Sequence, residues 1–400
     1  MLKILEIPED HFNLSIVNIK TSLSLLVKTK LMNFTAQITR PTAVVDLEIA
    51  RKNLERMQEK ARKHQKGFRP HFKTHQSATV GKLFADAGVE KITVSSVLMA
   101  EYFASAGWQD ITIAFPVNVR EVEAIKALAA KVKLSLLVES EEVVNILAKH
   151  LKHQVDIFIK GDAGYRRTGI DVEVINAIEK LAGSIEKHAH FSFAGFLIHN
   201  GQTYHAQSEK EILEMHDRSL EKLASLAKWK KSHYPDAIIS LGDTPALSLA
   251  KHFENVDELR PGNFIFYDVM QHLLGSCRTE DIAISVACPV VAKHPERNEI
   301  VVYGGGVHLS KEGVAYQGMT IYGFVSTFNQ NGWSLPNNRS HVKKLSQEHG
   351  IIHASDELMG KVAIGDLLAV LPVHSCLVPP LLGSLLTNNG EWLEVMRNYS

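Results

Sequence analysis

The 400-residue sequence predicts a (β/α)8 barrel followed by a β-rich C-terminal domain. From Thr42 to about residue 272, short apolar or β-branched runs alternate with segments of helical periodicity, making about eight or nine units, more than a doubly wound sheet needs. Beyond that point long helical runs stop, and short strand-like runs separated by Gly, Pro and Asn take over. The charges balance, 44 basic against 44 acidic, and 45% of residues are hydrophobic. Such a chain buries a sizeable core, and nothing in its charge favours nucleic acid or an anionic membrane over a small molecule as partner.

Each element has its own signal. Thr42 to Val45 is a β-branched run, and Leu47, Ala50, Leu54, Met57 and Ala61 give Leu47 to Lys63 a helical apolar stripe. Phe72 to Thr74, Ile92 to Ser95, Ile111 to Phe115, Leu134 to Val138 and Val155 to Ile159 read as buried parallel strands. Phe193 to His199, Ile238 to Ser240 and a last strand near Leu259 or Phe264 complete that series. In the second domain, Ile282 to Lys293, Glu299 to Tyr303, Met319 to Thr327, Gly350 to Ala354 and Asp366 to Val373 are the expected strands. The boundary is expected between residues 272 and 273, with 32–272 as barrel and 273–400 as the β domain. Three cysteines, Cys277, Cys288 and Cys376, make no disulfide framework and fit a reducing cytoplasm.

Arg69-Pro70-His71-Phe72-Lys73-Thr74-His75 is the most unusual stretch. Were it extended, Arg69, His71, Lys73 and His75 would share one face, with Phe72 and Thr74 on the other. Four polar or cationic groups on one face of a buried strand are costly unless something uses them. A solvated edge strand with a basic face is the competing reading of the heptapeptide alone.

Together with Ile92-Thr93-Val94-Ser95-Ser96-Val97 and Glu101, this stretch closely resembles the pyridoxal-phosphate strand of the D-serine dehydratase and D-threonine aldolase family. Members of that family are alanine-racemase-like, fold type III enzymes, so the resemblance implies the same barrel-plus-β architecture and makes Lys73 the residue that carries pyridoxal 5'-phosphate as a Schiff base. The likeness begins near Met32; residues 1–31 lack the features of a signal peptide and are expected to be a translated extension.

Further matches assign further roles. Asp162-Ala163-Gly164-Tyr165-Arg166-Arg167-Thr168-Gly169 is similar to the family's Asp-x-Gly-x-x-Arg-x-Gly loop, which implies that Arg167 faces the cofactor's ring nitrogen and Arg166 the surface. His199-Asn200-Gly201-Gln202-Thr203-Tyr204 resembles a His-x-Gly-x-x-Tyr turn, implying catalytic or orienting roles for His199 and Tyr204. Leu241-Gly242-Asp243-Thr244-Pro245 resembles the Gly-Ser-Thr-Pro phosphate turn, with Gly242, Asp243 and Thr244 as cofactor-binding positions. Asp243 stands where serine is usual, and a carboxylate there is expected to point away from a phosphate. Arg260-Pro261-Gly262 and Asp268 are supporting matches.

Downstream, Gln347-Glu348-His349-Gly350 and Pro372-Val373-His374-Ser375-Cys376 resemble the family's Glu-His-Gly and His-x-Cys elements. In an extended segment His374 and Cys376 would face the same way, and imidazole with thiolate suits Zn2+ with room left for substrate. Two segments depart from the family: Tyr303 to Ser310, and Leu377-Val378-Pro379-Pro380. Both are expected near the substrate side, so they bear on substrate choice more than on cofactor binding.

The implied reaction is a pyridoxal-phosphate- and zinc-dependent elimination from a D-3-hydroxy amino acid. Lys73, displaced by substrate, takes the Cα proton, and zinc on His374 and Cys376 assists departure of the β-hydroxyl. D-serine is the first expected substrate, with a 3-hydroxyaspartate-like acid as the alternative. The competing functions are a D-threonine-aldolase-type retro-aldol cleavage, an amino-acid racemase and a non-enzymatic pyridoxal-phosphate carrier. A carrier needs neither the β domain nor His-x-Cys. The expected partners are a small D-amino acid and a second copy in a homodimer, with no nucleic acid and no membrane.

Overall fold

The computed structural model describes residues 34–337 and 339–397, so the expected 1–31 extension and the start at Met32 lie outside the described residues. The first strand, β1 (Thr42–Val45), runs into the helix Leu47–Lys63, whose N-cap Asp46 accepts from the Glu48 and Ile49 amides. Next come β2 (Gly67–Phe68), β3 (Lys91–Val94), β4 (Asp110–Pro116), β5 (Lys133–Val138) and β6 (Val155–Asp162). A short β7 (Ile170–Asp171) pairs with β6, followed by β8 (Phe191–His199), β9 (Ile238–Gly242) and β10 (Glu258–Leu259).

These strands form one parallel sheet in the order β2-β10-β9-β8-β6-β5-β4-β3. A bridge between His71 and Thr93 joins its two ends into a barrel. Closure is made by irregular chain. Arg69 N–H donates to Leu259 O and His71 N–H to Pro261 O on one side, while Phe72 N–H donates to Thr93 O and Thr93 N–H to Pro70 O on the other. Pro70 has no N–H to give, which is why this segment completes the ring without being a regular strand.

Two expectations are corrected here. The strand Thr42–Val45 is not a barrel strand: it pairs antiparallel with Ile284–His294 and parallel with Ser384–Thr387 in the β domain. All four of its residues are buried, so burial and β-branching could not distinguish the two sheets. The alternation expected for Arg69 to His75 also fails, because residues 72–75 form a turn. His75 is instead packed against Phe72, Phe84 and Phe103 at centroid distances of 4.5, 5.5 and 5.8 Å.

The second sheet comprises β11 (Ile284–His294), β12 (Glu299–Tyr303), β15 (Gly323–Asn329), β17 (His341–Leu345), β18 (His349–His353) and β19 (Leu367–Pro372). Its path β12-β18-β17-β15-β19-β11 is closed by a further β11–β12 pairing into an antiparallel ring. On its flank lie β1, β20 (Ser384–Thr387) and β21 (Trp392–Glu394). A separate hairpin, β13 (Val314–Tyr316) with β14 (Met319–Ile321), stands off this sheet, and β16 (Gly332–Trp333) pairs with β15. Among the described residues no helix is long and apolar enough to cross a membrane.

Arg69 faces the barrel interior, with its Nε 3.2 Å from Glu258 and its Nη1 2.5 Å from Asp110. Lys91 Nζ is 3.0 Å from the same Glu258 carboxylate, whose side chain is 1% exposed. Burial pushes the Glu258 carboxyl up, but Arg69 and Lys91 outweigh it and hold it below its ordinary range. Removing one member leaves buried charge uncompensated. Glu258→Gln should therefore cost about 3 kcal/mol in urea unfolding at pH 7. Because the folded pKa is the lower one, the wild-type advantage should be present above the unfolded carboxyl range and be lost as pH falls through the folded value.

Candidate active site

A cavity of about 740 Å³ opens between the carboxyl ends of the barrel strands and the β domain. Lys73, Arg167, His199, Tyr204, His374 and Cys376 all lie on its wall. These six positions come from three separate strand ends of the barrel and from the far end of the chain, and only folding assembles them.

Lys73 sits in the turn that follows the barrel-closing segment. Its N–H donates to His71 Nδ1 at 3.3 Å and its carbonyl accepts from Gln76 Nε2 at 3.0 Å, so the backbone is clamped on both sides. Burial, with Arg167 and Arg260 nearby, lowers the Lys73 pKa, opposed by Cys376. The next residue turns its hydroxyl into the site: Thr74 Oγ1 is 3.1 Å from Cys376 Sγ. His75, by contrast, has its imidazole pushed down to about 3 by burial, which makes it a neutral core group.

The loop after β6 puts Arg167 on the wall and leaves Arg166 off it. Asp162 shapes this loop by accepting the Gly164 and Arg166 amides. The Arg167 guanidinium lies 5.1 Å from the Tyr165 ring centroid, a cation–π contact. Gly201 is required beside it, since a Cβ there would come within 2.3 Å of the Tyr165 ring. His199 Nδ1 is 2.5 Å from Gly242 O, which assigns the proton to Nδ1 and leaves Nε2 without it. Burial pushes this imidazole well below its ordinary value. Tyr204 OH accepts from the Thr244 N–H at 3.2 Å, and burial pushes its phenol far up.

Gly242, Asp243 and Thr244 are buried behind Tyr204 and are not on the cavity wall. Asp243 turns its carboxylate into the start of the helix Pro245–Leu249, where Oδ1 accepts the Ala246 N–H at 2.7 Å. Burial pushes this carboxyl up to about 7. On the adjoining strand ends, Asn200 has both side-chain polar atoms buried without a hydrogen-bond partner, and Thr244 Oγ1 is in the same state. His199 and Gly242 lie opposite one another in the sheet, so these orphaned groups flank one point. Buried donors and acceptors of this kind are normally satisfied, and a phosphate beside a reactive lysine would satisfy them. The residues present thus fit pyridoxal phosphate.

The His374–Cys376 segment is not extended: β19 ends at Pro372, and Ser375–Leu377 is a single 3-10 turn. Both side chains nevertheless reach the cavity, because the intervening Ser375 is held from behind. Asp268 Oδ2 accepts the Ser375 N–H at 2.9 Å, its hydroxyl at 3.2 Å and Asn263 Nδ2 at 2.6 Å. His374 Nδ1 is 2.7 Å from Glu312 Oε2, the carboxylate–imidazole arrangement that orients a metal-binding histidine and leaves Nε2 for the ion. Burial pushes His374 down, but Cys376 and Glu312 raise it net to about 11. Among the described residues no group of three or more His, Cys, Asp and Glu is placed to hold a metal. The donor set present, one thiolate and one imidazole, fits Zn2+ with the remaining positions left to water or substrate.

Sequence reasoning missed Glu312, 62 residues from His374, for which no sequence signal exists. It also missed Lys160, pushed down to about 8 by burial beside Arg260. Asp268, only a supporting match in the sequence, is the N-cap of the helix Val269–Leu273 and accepts the Gln271 amide. The segments Tyr303–Ser310 and Leu377–Pro380, expected near the substrate, do not line the cavity; Glu312 to Gln317 does. Glu348 likewise lies off the wall and pairs with His308 at 3.6 Å. The three cysteines are free.

Residues 45–269 match a family model described as the alanine racemase N-terminal domain, and residues 283–387 match one described as a putative serine dehydratase domain. A D-serine dehydratase of Dictyostelium discoideum is 28% identical over 369 residues, covering 85% of this chain and 91% of that one. A D-threo-3-hydroxyaspartate dehydratase of Delftia sp. (strain HT23) is 26% identical over 346 residues, covering 84% and 90%. A solved D-threo-3-hydroxyaspartate dehydratase, a cysteine-to-alanine variant in the metal-free form, superposes with a TM-score of 0.83 at 23% identity, covering 92% of this chain and 100% of that one.

Cys376 lies on the cavity wall with His374 and Lys73 pulling its pKa down against burial, whereas burial pushes Cys277 and Cys288 up. Iodoacetamide should therefore alkylate Cys376 first in the folded protein. Peptide mass mapping after brief exposure checks this; equal labelling of all three would contradict the geometry.

Proposed function

Because the chain belongs to the alanine racemase N-terminal family, joined to a serine dehydratase domain, we propose that it is a pyridoxal-phosphate- and zinc-dependent lyase that removes water from a D-3-hydroxy amino acid, as D-serine dehydratases do. The observation that carries this reading is that Lys73 and the His374–Cys376 pair line one cavity. A racemase or a cofactor carrier would have no use for that pair.

When bound, pyridoxal phosphate supplies an electron sink for charge developing at Cα, and zinc a Lewis acid for the departing β-oxygen. Lys73 is the residue that would hold the cofactor; His374 and Cys376 would hold the metal. Buried and lowered in pKa, Lys73 Nζ is suited to take the Cα proton. His199 presents its unprotonated Nε2. Tyr204, whose oxygen already accepts the Thr244 N–H, keeps its own proton to donate into the cavity. Arg167, seated over Tyr165, is positioned as a permanent cation on the same side of the cavity as Lys73. Glu312 fixes the His374 ring.

Two outcomes are expected. Borohydride reduction of the yellow protein should fix pyridoxal phosphate covalently on Lys73, and Lys73→Ala should abolish the adduct. Peptide mapping that found the label on another lysine would overturn the assignment. The bond that breaks follows from the metal donors: a thiolate selects zinc over harder ions, and zinc favours departure of the oxygen it binds. D-Threonine with zinc should accordingly give 2-oxobutanoate and ammonia. Stoichiometric glycine and acetaldehyde would make the protein an aldolase.

A further inference from the structure

The cavity is chemically two-sided. Its cations, Lys73 and Arg167, are grouped at the barrel's strand ends beside the neutral His199. The wall towards the β domain carries an apolar patch. It is built by Met270, Leu273 and Leu274 around the helix Val269–Leu273, and by Val314 and Ala315 on the hairpin of β13 and β14.

That apolar wall borders the candidate metal position. Met270 N–H donates to Val373 O at 3.3 Å, one residue before His374. Glu312, bonded to the His374 ring, leads directly into Gly313 and Val314. Thr74 is in contact with Cys376 on the Lys73 side. A substrate with its amino group at Lys73 and its β-oxygen between His374 and Cys376 would have Met270, Leu273, Leu274 and Val314 on the wall beside the metal position, open to any other Cβ substituent.

Along that stretch no lysine or arginine among the described residues lines the wall, and the Glu312 carboxylate that borders it is paired with His374. A second carboxylate on Cβ would be desolvated against leucine and methionine with no such cation beside it. A hydrogen on Cβ, as in serine, would leave this apolar surface wet. We infer that the preferred substrate is a D-3-hydroxy amino acid bearing an unbranched apolar group on Cβ, larger than that of D-serine and without a second carboxylate. This rests on the lyase reading above and narrows its substrate class.

The holoenzyme with zinc should be assayed for ammonia with D-serine, D-threonine, D-3-hydroxynorvaline and D-3-hydroxyaspartate. The first three grow by one carbon at a time on Cβ. Each step should raise kcat/KM by about tenfold, the lower end of what one methylene contributes in a hydrophobic pocket. Calorimetric titration with D-norvaline and D-aspartate, which have no hydroxyl to lose, gives an independent readout, and D-norvaline should bind at least about tenfold more tightly. Leu273→Arg should reverse both preferences. Val314→Arg on the hairpin serves the same purpose should the first variant not fold. D-Serine or D-3-hydroxyaspartate equalling or exceeding D-3-hydroxynorvaline would overturn the inference and leave the lyase reading intact. Failure of every D-amino acid to bind or react would instead remove the lyase reading, and the substrate class with it.

Discussion

One buried carboxylate holds the two halves of the site in register. Asp268 is 1% exposed. Its Oδ1 caps the helix that carries the apolar wall, and its Oδ2 fixes the turn that aims His374 and Cys376 at Lys73. Burial raises its pKa, opposed chiefly by His374 and by amide and amide-side-chain donors from Gln271, Ser375 and Asn263. Each of those donors belongs to a segment of the site, so satisfying the carboxylate and building the site are the same event. The barrel and the β domain are thereby joined by obligatory hydrogen bonds as well as by apolar packing.

Around this tie the electrostatics divide cleanly. The barrel's upper interior gathers Lys73, Lys160 and Arg260, and burial pushes Lys160 down to about 8 and Arg260 down to about 10. Excess buried positive charge is unfavourable until an anion offsets it. The orphaned side chains of Asn200 and Thr244 lie at the neighbouring strand ends. Positive charge and unmet hydrogen-bonding capacity in one place are what an anionic cofactor relieves. Towards the β domain the sign changes: burial lowers the His374 pKa, but the Cys376 charge and the hydrogen bond to Glu312 raise it net.

The histidines show why residue type alone was a weak guide. His71, His75, His199 and His374 occur in motif-like settings, yet they have four different duties. His75 is stacked among phenylalanines, His71 receives the Lys73 amide, His199 is locked to Gly242 and His374 is bound to Glu312. Pattern told them apart only where a resemblance supplied the role.

The sequence by itself determined the barrel and the antiparallel domain, because these follow from local periodicity, and it singled out Lys73 as a candidate through a contiguous motif whose residues stay together when the chain folds. It did not determine which sheet Thr42–Val45 would join, since a fully buried β-branched run suits either. Nor could it show that His75 turns inward, that Asp243 spends its carboxylate on a helix start, or that Glu312 rather than the glycine-rich Tyr303–Ser310 segment borders the site. Those outcomes depend on contacts between residues far apart in sequence, and the energy of such a contact resides in a distance and an angle that no spacing along the chain encodes. Only the tertiary structure decided them.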